Sequence, residues 1–389
     1  MTDLSTDLAR RIADDARATA VPVDSARHSP SAIYTSPAIH DLEREHIFFK
    51  DWICCGRVEQ VERPGDYVSL ELMGEPFVVA RSPDGLLNAF SNACLHRAVA
   101  VAPPGAGNRR AFTCPFHGWS YDMKGRLIGA PRMDQARGFD KAQQRLPQIR
   151  VGEWQGWVFV CFDQDAPPLE RHVATLERDF AFMRQQDCRL AVTTVNEIDC
   201  NWKLVVENVI DLYHVNMVHK TTNGRQFTAE AFEFAPRERG GYFATFNSGP
   251  STLTGQPVFG RMPWLEDKPD SFAATGRLRP NFTFFARVDT AHALCIWPLG
   301  PLRTRVTVYT LLPRQFFDAP DFANRALAYR DYQDKVISED REVLQMMQRG
   351  IGSRLYRPGR MAHIEEGVHH IEADYLERMA PVLREVAAC

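Results

Sequence analysis

Residues 94–117 read CLHRAVAVAPPGAGNRRAFTCPFH, and this stretch decides the fold. Cys94 and His96 form one pair and Cys114 and His117 a second, with seventeen residues rich in Pro, Gly and Arg between them. Each pair fits on one tight loop, so two loops can close on a single metal centre. Zinc is the generic occupant of a Cys2His2 set, because thiolate and imidazole both suit it. Zinc-finger spacing, however, pairs Cys with Cys and His with His, whereas each loop here carries one of each. That arrangement suits a two-iron cluster with both thiolates on one iron and both imidazoles on the other. Imidazoles in place of thiolates raise the potential of such a cluster and make it an electron carrier of moderate potential.

The flanks are strand-like. DYVSLEL (66–72), PFVVARS (76–82), LNAFSNA (87–93) and WVFVCF (157–162) alternate with turn signals at 83–85, 103–105 and 124–126, which predicts an all-β domain over 46–165. Residues 1–45 read as a partly helical segment, with Leu4, Leu8 and Ile12 at helical spacing and a second helix near DLEREHIFFKDW (41–52). After DQDAPP (163–168), helical and strand-like segments mix, so residues 166–389 are expected to form an α+β domain. Its strand candidates are YFATFNS (242–248), NFTFFARV (281–288), HALCIWPL (292–299) and RVTVYTLLP (305–313), followed by a long helix from about 322 to 349.

With 389 residues, 24% charged, and a net charge of −3, the chain offers no electrostatic reason to bind nucleic acid. No apolar run approaches the ~20 residues of a membrane span. The opening MTDLSTDLARRIADDARATAV carries charges throughout, unlike a secretory leader. A cytoplasmic protein is the expectation. Nine cysteines, odd in number and scattered, do not form a disulfide framework, and only Cys94 and Cys114 have histidines at ligand spacing.

A second constellation lies in NWKLVVENVIDLYHVNMVH (201–219). As a helix it is apolar nearly all round and should be buried. Glu207, Asp211 and His214 nonetheless fall within a wedge of about 60° on it. Buried charges are rare unless paired or bound to metal. His219 would point about 140° away from His214, so the helix must end or distort between the two. In the long C-terminal helix, Asp340 sits within an apolar stripe of Val336, Val343, Leu344 and Met347 and needs a partner. Glu339, about 100° around, should be more exposed. Two histidines and one carboxylate would leave iron positions open for dioxygen and substrate.

The spacing Cys-x-His-x17-Cys-x2-His, entered by DGLLNAFSNACLHR (84–97) and followed by GWSYDMKGRL (118–127), resembles the Rieske motif of the ring-hydroxylating, non-haem iron oxygenases. Ala98 departs from it, standing where the family usually has Gly. Asp-x2-His-x4-His (211–219) is similar to the same family's mononuclear iron motif. The resemblance implies a Rieske [2Fe–2S] cluster on Cys94, His96, Cys114 and His117, and Fe(II) on His214, His219 and Asp340. It makes Asp211 the bridge from His214 to a cluster histidine, His117 by preference, and leaves the role of Glu207 undefined. It further implies a helix-grip-like catalytic domain with a twisted antiparallel sheet, and a head-to-tail homotrimer in which electrons cross between neighbours. A small beta subunit is left open. The glycines of PPGAGNRR (103–110) lie inside the Rieske loop and not between strand and helix, so no dinucleotide signature is present. Electrons from NAD(P)H must then come through a separate reductase, directly or through a ferredoxin.

The expected function is that of a terminal oxygenase hydroxylating a small aromatic substrate with O2. O- or N-demethylation is one alternative. Oxidation of a quaternary ammonium compound is another, performed by relatives with a similar EN-x2-acid-x-Tyr-His segment. A simple Rieske electron carrier would need only residues 50–165. Ten phenylalanines between 227 and 285 crowd the region after the iron motif; about half should line an apolar cavity if they alternate on strands, although ordinary core accounts for most. Asn281, Arg287 and His292 are polar candidates to orient a substrate carboxylate or hydroxyl.

Overall fold

Short strands, some largely buried and two pairs of them joined by two-residue turns, build the unit that carries the Cys-plus-His loops. In the computed structural model, which describes residues 6–15, 17, 19–225 and 227–388, this unit spans 49–169; residues 1–48 and 170–389 form a second one. Leu4 and Cys389 lie outside the described residues. The first unit contains β1 (Ile53–Arg57), β2 (Asp66–Leu72), β3 (Glu75–Arg81), β4 (Leu87–Ser91), β5 (Gly105–Asn108), β6 (Phe112–Thr113), β7 (Ser120–Tyr121), β8 (Leu127–Gly129), β9 (Gln148–Trp154) and β10 (Trp157–Cys161). Seven of them form an antiparallel sheet in the order β1-β10-β9-β4-β3-β2-β5, and β6-β7-β8 form a small second sheet. The β2–β3 and β9–β10 turns place Met73–Gly74 and Gln155–Gly156 at positive φ, the conformation whose twist matches a tight hairpin.

The second unit holds α1 (Thr6–Asp15), α2 (Ser31–Thr35), α3 (Pro37–Glu43), the end of α4 (Leu169–Asp179), β11 (Cys188–Ile198), α5 (Trp202–Ile210), α6 (Val215–Val218), β12 (Glu233–Pro236), β13 (Tyr242–Asn247), β14 (Phe272–Leu278), β15 (Phe282–Arg287), β16 (Ala291–Gly300), β17 (Arg303–Pro313), α7 (Phe322–Ile351) and α8 (Glu366–Ala388). Its seven-stranded antiparallel sheet runs β11-β17-β16-β15-β14-β13-β12, so the strand that opens the sheet in sequence pairs with the one that closes it. Helix α7 lies along β11, and α5 contacts α7, α8, β16 and β17. This α+β architecture, beside a separate all-β unit, is the fold class the sequence predicts. No helix among the described residues is long and apolar enough to cross a membrane.

Helix α5 is pinned by a buried charge cluster that reaches back to α3. Glu43, fully buried, accepts hydrogen bonds from Trp202 Nε1 (2.8 Å), Lys203 Nζ (2.5 Å) and Tyr375 Oη (2.7 Å). Burial lowers the Lys203 ammonium below its usual range, against the pull of Glu43. Removing one partner of such a pair leaves the other charged and desolvated. Glu43→Ala is therefore expected to lower the unfolding free energy by about 3–5 kcal/mol, read from the urea midpoint at constant m value.

Candidate metal centres

The two loops of the all-β unit repeat one turn. Ala98 N donates to Cys94 O (2.8 Å) and Cys94 N to Val99 O (3.0 Å); Gly118 N donates to Cys114 O (3.1 Å) and Cys114 N to Trp119 O (2.7 Å). Ala98 and Gly118 occupy the matching left-handed position, with φ of 57° and 73°. A methyl group there costs roughly 1 kcal/mol, which gives the Ala98 departure a physical size. Both cysteines are 3% exposed, whereas both histidines stand exposed. The Nδ1 atoms of His96 and His117 face each other at 3.2 Å, and Trp119 lies flat against His96. Tyr121 Oη accepts from Leu95 N (3.0 Å), so its own proton is available to Cys94 Sγ at 3.2 Å. The eight described cysteines are free thiols. Two buried sulfurs and two converging ring nitrogens fit a cluster whose thiolate iron is inside and whose imidazole iron is at the surface.

In the second unit, α5 stops at Ile210 because Asp211 leaves helical geometry, with ψ of 95°. His214 then caps the start of α6 and His219 its end. A first break thus precedes His214, and α6 ends at Val218, between the two histidines as expected, with His219 at φ of −100° and ψ of 33°; Glu207, Asp211 and His214 do not share one helix face. Glu207 turns away and accepts from Tyr34 Oη (3.0 Å), which joins α5 to α2; burial pushes its carboxyl well above the usual range.

His214, His219 and Asp340 meet, with ligand atoms all within 4.8 Å of one another. The two Nε2 atoms are 3.3 Å apart, and Asp340 Oδ1 lies 3.5 Å from that of His214 and 3.0 Å from that of His219. Asp340 Oδ1 is buried, yet neither ring offers it a well-directed hydrogen. The outer nitrogens explain why. His214 Nδ1 meets Asp211 Oδ2 at 3.2 Å and His219 Nδ1 meets Glu339 Oε2 at 2.8 Å, which places the ring protons on Nδ1 and aims both Nε2 lone pairs inward. Two lone pairs and a carboxylate converging without a proton fit a divalent cation.

Glu339 as a residue is intermediate in exposure where Asp340 is buried, but it is no solvated acid. Its side chain is as buried as that of Asp340, at 11%, and it also accepts from Thr222 Oγ1 (2.7 Å). The helical wheel treats α7 alone and misses the α6 end packed beside it. Met347, placed in the apolar stripe by the same reasoning, is 40% exposed. Asp211 Oδ1 accepts from Tyr213 N (2.9 Å), and its side chain remains 22% exposed.

A cavity opens beside the three ligands, with about 840 Å³ of empty space including its mouth. Leu212, Val215, Phe227, Phe246 and Phe285 give it an apolar wall. Only three of the ten candidate phenylalanines line it; Phe243 and Phe284, for instance, pack on Phe180 instead. Arg287 and His292 border the cavity, whereas Asn281 does not.

Comparison with known proteins agrees with this geometry. The family described as ring hydroxylating alpha subunit (catalytic domain) matches residues 186–381, and the Rieske [2Fe-2S] domain family matches residues 51–147. The chain belongs to the ring-hydroxylating alpha subunits, the terminal oxygenase components of Rieske non-haem iron oxygenases. It is an oxidoreductase with a Rieske [2Fe–2S] domain and a catalytic domain for a mononuclear iron. It is 29% identical to the chloroplastic choline monooxygenase of Beta vulgaris over 90% of this chain and 76% of that protein. It is 26% identical to the glycine betaine monooxygenase oxygenase subunit of Pseudomonas aeruginosa over 96% of this chain and 94% of that protein. Among solved structures, an apo quaternary ammonium Rieske monooxygenase (22% identity, TM-score 0.75, 97% of this chain and 99% of that one) shares its fold. So does naphthalene 1,2-dioxygenase from Rhodococcus sp. bound to indole (21%, TM-score 0.77, 97% and 99%).

Proton competition gives this centre a pH signature. Burial alone would lower His214, but the facing carboxylates of Asp211 and Asp340 carry it up to about 9 in the metal-free protein. Below that value a proton must leave before iron binds, so Fe(II) affinity is expected to fall about tenfold per pH unit. Anaerobic titration against a competing chelator between pH 6 and 8 measures this, and a flat profile would contradict it.

Proposed function

We propose that this chain is the terminal oxygenase of a system that oxidises a quaternary ammonium compound at a carbon bonded to the nitrogen. The observation that carries this reading is the likeness to choline and glycine betaine monooxygenases across nine-tenths or more of the chain, which displaces aromatic ring hydroxylation, the first expectation. The cavity supports it: Phe227, Phe246 and Phe285 offer ring faces to a trimethylammonium group beside the ligand triad.

In this account Cys94, His96, Cys114 and His117 hold the [2Fe–2S] cluster, and His214, His219 and Asp340 hold Fe(II). When bound, the iron provides open positions for O2 and the cluster provides an electron. The chain's own residues do the rest. Asp211 and Glu339 keep the ring protons of His214 and His219 on the outer nitrogens. The partly exposed Asp211 carboxylate, already engaged by His214, accepts a further hydrogen bond from a cluster histidine, and His117 of a neighbouring copy is the donor. Tyr121 donates to Cys94 and stabilises the more negative, reduced state of the cluster. The apolar wall keeps water from the reacting carbon. One oxygen atom enters a C–H bond; the other leaves as water with two electrons and two protons. The N–C–OH carbon then separates as an aldehyde and a tertiary amine. Electrons come from NAD(P)H through a separate reductase, with or without a ferredoxin, in a homotrimer working in the cytoplasm; inter-subunit electron transfer is a theme of a solved quaternary ammonium Rieske monooxygenase.

Reconstitution with a reductase tests the reading. Choline, glycine betaine or carnitine should accelerate O2 uptake with stoichiometric aldehyde release, and stimulation by benzoate or methoxybenzoates alone would contradict it. Asp211→Ala should keep both metal centres, seen by EPR and iron content, while turnover falls roughly 100-fold or more. Full activity in that variant would remove Asp211 from the electron path.

A further inference from the structure

We infer that Arg287 is the substrate's carboxylate anchor, so that the preferred substrate is a zwitterion carrying both a quaternary ammonium and a carboxylate. The inference rests on the quaternary ammonium reading above and narrows it.

Arg287 ends β15, borders the cavity and is 4% exposed. Its guanidinium donates only to neutral acceptors: Nη1 to Ser248 Oγ (2.7 Å), Gly249 O (2.8 Å) and Tyr332 Oη (3.2 Å), and Nη2 to Asn223 Oδ1 (3.1 Å). Nε is buried with no partner. No carboxylate among the described residues forms an ion pair with it. Asp289, two residues along the chain, is fully buried and accepts from Ser251 N at 3.3 and 3.2 Å. Burial pushes Asp289 up to about 6 against the attraction of Arg287, which leaves it mostly ionised at pH 7, but its oxygens are turned to Ser251 N and no hydrogen bond joins it to the guanidinium. A buried guanidinium without a facing anion is costly, and a bound anion relieves that cost.

Two further nitrogens on the cavity wall lack partners, His292 Nδ1 and Gln333 Nε2. Burial and the neighbouring Arg287 charge hold His292 neutral, and its ring lies against Phe285 (4.8 Å, 9°). The Gln333 amide nitrogen is a donor without an acceptor, which a ligand carrying acceptor oxygens would supply. Tyr332, which touches Arg287, precedes Asp340 by eight residues of α7, about 12 Å along the helix. Arg287 and the candidate iron ligands therefore line different stretches of one cavity. A carboxylate on Arg287 turns the trimethylammonium toward the phenylalanines and the iron ligands. Choline, which lacks the carboxylate, leaves Arg287 unpaired.

Calorimetric titration of the holoenzyme with glycine betaine, its methyl ester, γ-butyrobetaine and choline tests this without relying on a variant. One of the two zwitterions should bind at least about 50-fold more tightly than choline, and the free acid should exceed its ester similarly. Arg287→Gln, checked for melting temperature and iron content, should weaken the zwitterion about 100-fold, mainly through KM. Arg287→Lys should restore part of the loss. Preference for choline or the ester, or a folded Arg287→Gln that binds the zwitterion as the wild type does, overturns the inference. If no quaternary ammonium compound binds, the substrate reading fails. The anchor is then judged with benzoate and isobutyrate: binding by the wild type and not by Arg287→Gln sustains it, and no binding ends it.

Discussion

The catalytic unit is organised around one electrostatic constraint: two imidazole lone pairs and a buried carboxylate oxygen point at the same small volume. Such an arrangement repels itself unless a cation occupies the centre, and it collapses into ordinary hydrogen bonds if either ring shifts its proton. The protein prevents that shift with two acids. Asp211 holds His214 and Glu339 holds His219, each from outside, so tautomer and ring orientation are fixed together. An unbroken helix would carry His219 about 140° from His214; α6 instead ends at Val218, with His219 at φ of −100° and ψ of 33°, and the break at Asp211 sets that acid against His214 Nδ1.

The supporting structure has a corresponding division of labour. Helix α7 places Asp340 inward and Glu339 against the end of α6, so one helical turn supplies both a ligand and the group that orients another ligand. Helix α5 is held by Glu43 through Trp202 and Lys203, and by Tyr34 through Glu207. These contacts fix the approach to Asp211, whose carboxylate meets His214 Nδ1 and remains partly exposed. The sheet contributes the rest of the cavity, with Phe285 and Arg287 two residues apart on β15 and therefore on one face.

The four Cys and His residues of the cluster loops can be read from spacing because short loops impose local geometry, whereas helical spacing sets His214 and His219 about 140° apart and only the family resemblance pairs them. The strands β13, β15, β16 and β17 were visible for a similar reason: each carries a run of β-branched or aromatic residues. β14, FAATGRL, was not, since Ala, Gly and Thr give no apolar signal although six of its seven residues are buried. Glu339 and Glu207 show where a single helix wheel fails. What each acid does is set by a neighbour distant in sequence, His219 for one and Tyr34 for the other. Arg287 was visible as a polar residue in an aromatic strand, but its missing counterion is a tertiary property.

The central claim is that the chain carries a two-iron cluster and a separate mononuclear site. Iron and acid-labile sulfide per chain, measured side by side for the wild type and His219→Ala, address it most directly. The account gives about three irons and two sulfides in the wild type, and about two irons with unchanged sulfide and an unchanged Rieske EPR signal in the variant. Zinc in place of iron, absence of sulfide, or loss of the cluster signal on changing His219 would contradict it.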